Sequence, residues 1–106
     1  MSEVFDDFSI DVSTDGDDAT IVVGGELDLA SAPLLQRALG DRLERQVTVD
    51  LAGITFLDST GLRTLVTARN DLHERDQQLI VGPCSPAASR VFALTGLGEA
   101  FGVTGA

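Results

Sequence analysis

The chain has 106 residues, with seventeen acids against seven arginines, no lysine and a formal net charge of −10. That charge argues against nucleic acid and against an anionic membrane as partners, because contact with either needs a basic surface. The length suits one domain, and at this size about 60–70% of the unfolded surface can be buried without disulfides.

No apolar run approaches the roughly 20 residues of a membrane helix. The N-terminus, Met1-Ser2-Glu3-Val4-Phe5-Asp6-Asp7, has neither a basic region nor a signal-peptide core. The expectation is a cytoplasmic protein. The single cysteine, Cys84, allows no internal disulfide, and its place after Leu79-Ile80-Val81 reads as a partly buried thiol. Residues 1 to 18 carry seven acids and no base. Residues 1 to 7 read as a flexible acidic N-terminus and residues 8 to 106 as the domain.

Phe8, Ile10 and Val12 alternate with polar residues, the period of a half-buried strand. Thr14-Asp15-Gly16-Asp17-Asp18 is a turn, and Ala19 to Gly24 is a second strand, so the two form an antiparallel hairpin. The run Ile21-Val22-Val23 suggests that the second strand is central and covered on both faces. Gly25 to Ala30 then reads as a loop. Ser31 is placed to cap a first helix with Pro33 in its first turn, and Leu35, Ala38, Leu39 and Leu43 line one face.

The stretch from Val47 to Asn70 changes period midway. Val47, Val49 and Leu51 alternate with polar residues; Ile54, Phe56 and Leu57 approach a turn; and from Leu62 the apolar residues Leu62, Leu65, Val66 and Leu72 fall at helical spacing, with Arg69 the polar member of that face. Ser59 therefore sits where the chain turns into a helix. It can cap the first free N–H groups. A phosphoserine there would meet the same groups and the positive end of the helix dipole. Gly61, inside the first turn, costs about 1 kcal/mol relative to alanine. A bare backbone at that point suits close approach by another molecule.

Asn70 to Asp76 is a polar run that includes the only histidine, His73, read as a surface residue. Leu79 to Gly82 reads as a short interior strand. Ser85 caps a third helix with Pro86 at its first position; Ala88, Val91, Phe92 and Leu94 pack inward, and Gly96-Leu97 looks like a glycine stop with its hydrophobic partner. Phe101-Gly102-Val103 could add an edge strand.

An opening hairpin followed by alternating strands and helices gives an α/β fold with a mostly parallel sheet. Loops after the C-terminal ends of strands gather on one rim of such a sheet. Glu26, Asp28 and the Asp58-to-Leu62 segment are thereby expected on one contact surface.

Three segments also carry a resemblance. Phe56-Leu57-Asp58-Ser59-Thr60-Gly61-Leu62 resembles the signature of the anti-sigma factor antagonists, the bacterial members of the STAS domain family. Gly25-Glu26-Leu27-Asp28 is similar to the family's second-strand ending, and Ser85-Pro86 with Val91 to Leu97 to its third-helix segment. The order and spacing fit from about residue 8 to residue 103. The resemblance implies a single domain with a four- or five-stranded mixed sheet flanked by helices. It implies that Ser59 is the phosphate acceptor of a serine kinase that is also an anti-sigma factor. The unphosphorylated chain would bind that kinase and release the sigma factor, phosphorylation would end binding, and a phosphatase would reset the switch. Partner-binding residues would be Glu26, Asp28, Asp58, Ser59, Thr60, Gly61 and Leu62. ATP and magnesium would belong to the kinase, so no cofactor is expected on this chain. The alternative is a STAS-type scaffold or accessory subunit of a transport or stress complex whose Ser59 is never phosphorylated.

The residues argue against an enzyme. A nucleophile elbow needs glycine where Leu57 stands. His73 lies fourteen residues beyond Ser59, about 20 Å along a helix axis and out of reach as its base. One His and one Cys give no metal-ligand spacing.

Overall fold

A computed structural model describes residues 2–5 and 7–103. Met1 and Asp6, from the acidic N-terminal segment, and 104–106, from the end of the expected domain, lie outside the described residues. Five strands form one sheet in the order of the chain: β1 (Ser2–Phe5), β2 (Phe8–Asp15), β3 (Asp18–Leu27), β4 (Gln46–Leu57) and β5 (Gln78–Cys84). The pairs β1–β2 and β2–β3 are antiparallel, and β3–β4 and β4–β5 are parallel. The hairpin between β2 and β3 closes through Gly16-Asp17, with Gly16 at φ +60° as its first central residue.

Three helices complete the chain: α1 (Ala32–Gly40), α2 (Ser59–Glu74) and α3 (Pro86–Thr95). Both parallel crossovers step in the same direction along the sheet. Right-handedness then puts α1 and α2 on one face, where they pack against each other. That face carries Ile10, Ile21, Val23, Val47, Val49 and Val81, which join Leu35, Leu39, Leu65, Leu72 and Phe92 in a single core. Burial of an aliphatic side chain of this kind is worth about 1.5–3 kcal/mol.

Several expectations are corrected. β3 is central, but it is not covered on both faces: Val22 is 40% exposed, because alternation turns it to the face that no helix covers. β3 also runs past Gly24 to Leu27. β5 lies at the sheet edge rather than inside it, with α3 and a 3-10 turn at Glu99–Phe101 packed against it. That turn replaces the edge strand expected near Phe101; Phe101 instead meets Phe92 edge-on, with ring centroids 5.5 Å apart. Leu43 is 85% exposed because α1 has already ended at Gly40. Leu94 is also exposed: two residues past Phe92 is about 200° around a helix. Finally, Ser2–Phe5, within the segment read as flexible, pairs with β2 as a strand whose four side chains are all exposed.

The third helix follows its sequence. Ser85 Oγ accepts from the Ala88 N–H at 3.1 Å, and Gly96 ends α3 in the left-handed conformation at φ +72°. Cys84 is half-buried; burial first, and the Asp50 carboxylate second, hold its thiol above the usual range.

Candidate functional site

The parallel pairing of β3 and β4 builds the rim. Glu26 stands opposite Phe56 and Leu27 opposite Leu57, so the two strands end side by side. The loops that follow them emerge together. The Asp58 N–H donates to the Leu27 carbonyl at 3.3 Å, which ties the second loop to the first strand. Reaching this register takes two irregularities. Val22 and Gly24 face Asp50 and Gly53, and Gly25 and Glu26 face Ile54 and Phe56, so β4 carries an extra residue each time. Each bulge changes the parity of the strand. Leu51, Ile54 and Leu57 consequently all point inward at intervals of three, and Phe56 is left 48% exposed on the rim.

The β3–α1 loop is held by Asp28 and Ser31. Asp28 Oδ1 accepts from the N–H groups of Ala30 (3.0 Å) and Ser31 (3.2 Å). Ser31 Oγ donates to the Glu26 carbonyl at 2.7 Å and accepts from the Asp28 N–H at 2.9 Å. Ser31 is thus spent on the loop and makes no side-chain cap on α1, contrary to the reading from its position. Asp28 is a turn former of the kind that locks short loops. The loop it shapes presents Leu29, 74% exposed, to solvent.

At the second loop the cap is Asp58 rather than Ser59. Asp58 is extended, at φ −103° and ψ −176°, and its Oδ1 accepts from the Gly61 N–H at 2.9 Å. Ser59 is the first helical residue, and its side chain is exposed. Thr60 is half-buried, and its carbonyl accepts from the Thr64 hydroxyl at 3.1 Å.

Gly61 and Leu62 face the other way. Both are buried. A methyl group on Gly61 would stand 2.7 Å from the Leu27 carbonyl oxygen and 2.8 Å from side-chain carbons of Leu27 and Leu57. The backbone is bare there because α2 starts hard against the ends of β3 and β4. The molecule that approaches Gly61 closely is the chain itself, which corrects the reason inferred from sequence.

Glu26, Asp28, Asp58, Ser59 and Thr60 therefore share one rim, with Gly61 and Leu62 beneath it. Sequence reading did not single out Leu29 and Phe56 as rim residues. For Leu29 the available signal was an apolar residue inside a polar loop; for Phe56, the double bulge hides its parity. Among the described residues no group of His, Cys, Asp and Glu is placed to hold a metal, and no helix is long and apolar enough to cross a membrane.

A family model described as "Mlab, STAS domain" matches residues 10–104. The chain belongs to the STAS domain family. The anti-sigma-B factor antagonist of Staphylococcus epidermidis is 34% identical to this STAS domain over 92 residues, covering 84% of this chain and 85% of that protein. An anti-sigma factor antagonist from Mycobacterium paratuberculosis superposes with a TM-score of 0.77 at 27% identity, over 91% of this chain and 84% of its own. The unphosphorylated form of the anti-sigma factor antagonist SpoIIAA shares the fold, with a TM-score of 0.72 at 20% identity, over 85% of this chain and 83% of its own. The five-stranded mixed sheet with three helices is the architecture these structures share.

Proposed function

We propose that this STAS domain is an anti-sigma factor antagonist that works by partner switching. In the unphosphorylated state its rim binds an anti-sigma factor, which then releases a sigma factor. The anti-sigma factor is also a serine kinase; with its own ATP and magnesium it transfers a phosphoryl group to Ser59, binding is lost, and a phosphatase restores the chain.

The observation that carries this reading is the division of labour at the start of α2. Asp58 occupies the cap, so the Ser59 hydroxyl is left in solvent at the end of the central strand pair. Names of the relatives point the same way. An acceptor must be reachable by the kinase, and its phosphate must change the surface that the partner reads. Phosphorylation adds roughly −1.5 to −2 charges at pH 7. At Ser59 this charge would enter a rim that already holds Glu26, Asp28 and Asp58.

Incubation with a cognate kinase and Mg-ATP, followed by intact mass and fragment-ion localisation, tests the reading. One phosphate on Ser59 and none on Thr60 is expected, because Thr60 is half-buried in the first turn. Phosphate on Thr60 would overturn the assignment. A kinase that binds but transfers nothing would favour the unphosphorylated scaffold.

A further inference from the structure

The N-terminal strand β1 has no place in the core, since all four of its side chains are exposed. It also precedes the segment that matches the family model. Yet it is fixed firmly beside the rim. The Glu26 N–H donates to the Asp7 carbonyl at 2.6 Å. Gly25, at φ +86°, has the Asp7 backbone where a side chain would be. The strand that ends in the Glu26 rim is therefore clasped to the segment leading out of β1.

Two depressions, of about 560 and 280 Å³, flank β1, the larger on the α1 face beside Leu34 and the smaller on the open face beside Ser9 and Thr55. Both are lined by Val4, Phe5, Asp7, Phe8 and Glu26, and the larger reaches Asp28. Successive strand residues face opposite ways: Phe5, opposite Phe8, turns to the larger depression and is 43% exposed, and Val4, opposite Ser9, turns to the smaller and is 80% exposed. The Phe5 ring leans on Phe8, with centroids 6.5 Å apart, which holds it upright rather than loose. Among the described residues no basic side chain lines either depression, while three carboxylates do. An apolar floor inside an acidic ring complements one kind of surface: an arginine or lysine beside an apolar side chain.

We propose that the larger depression is a docking site for such a segment of the anti-sigma partner, and that β1 extends the partner-binding rim with Phe5 as its apolar anchor. The inference rests on the partner-switching reading. Interfaces draw most of their affinity from a few buried anchors of this type, and an acidic ring selects against partners lacking the basic residue.

The test uses the full chain and the anti-sigma factor kinases of its source organism, titrated one by one by calorimetry. If the parent chain binds none of them, the partner-switching reading itself fails. If one binds, Phe5→Ala and Asp7→Arg are titrated against it. Each should lower affinity about tenfold or more, with the thermal midpoint unchanged because both side chains are exposed. Should Phe5→Ala lower the midpoint through its contact with Phe8, Asp7→Arg decides. Parent-like affinity in Asp7→Arg overturns the docking site. So does sedimentation of the free chain as a dimer that Phe5→Ala breaks, since the depression would then hold a second copy.

Discussion

Three serines stand at helix starts in this molecule; Ser31 is spent on its loop, and the fates of the other two differ by one residue. Ser85 is the residue before α3; it is buried, and its hydroxyl accepts from the Ala88 N–H. Ser59 is the first residue of α2; Asp58 before it takes the N–H of Gly61, and Ser59 faces water. A hydroxyl that completes a helix is stability. A hydroxyl displaced from that role by a neighbouring carboxylate is available chemistry.

The largest effect expected from this contrast is on binding. Burying an incompletely paired charge costs several kcal/mol, and each ~1.4 kcal/mol is tenfold in affinity. Phosphorylated Ser59, and to a lesser degree Ser59→Glu, should therefore bind the kinase on the order of a hundredfold more weakly than Ser59→Ala. Both variants should keep the parent circular dichroism. Unfolding of Ser59→Glu would place the switch in the fold instead of at the surface.

Gly61→Ala should come next. Overfilling a packed site costs about 1–3 kcal/mol, more than the ~1 kcal/mol of helix propensity that alanine brings. A thermal midpoint lowered by several degrees is expected. An unchanged or raised midpoint together with lost kinase binding would return Gly61 to the contact surface.

The smallest effect sharpens the pair of serines directly. Ser85→Ala should cost about 1 kcal/mol, the ordinary value of a cap. Ser59→Ala should stay within about 0.5 kcal/mol, as exposed substitutions do. Chemical denaturation of both variants measures the difference, and equal losses would mean that Ser59 caps α2 after all.

The sequence displayed what depends on near neighbours. The β2–β3 hairpin, the Ser85-Pro86 start and the Gly96 stop of α3 can all be read from a few adjacent residues. The rim could also be anticipated, because it follows from strand ends in a parallel sheet. What could not be read depended on distant partners. Gly61 is bare because of Leu27, thirty-four residues earlier in the chain. Asp58 and Ser59 are both good caps, and nothing local says which of them the helix will take. Leu43 and Leu94 continued a helical pattern beyond the end of one helix and around the outer side of another. The N-terminal segment looked too acidic to fold back, and its place depends on the Asp7 carbonyl meeting Glu26, nineteen residues on.

The bond from the Asp58 N–H to the Leu27 carbonyl has one more consequence. It attaches the Asp58–Ser59 turn to the middle of the sheet, where β4 has a parallel neighbour on each side. Loops tied to a buried strand open less readily than free ones. The turn is thus anchored before any encounter, which lowers the entropy an incoming protein would lose in ordering it. Enzymes that add and remove a group there would meet the same backbone, and would have to tell the two states apart by charge and not by shape.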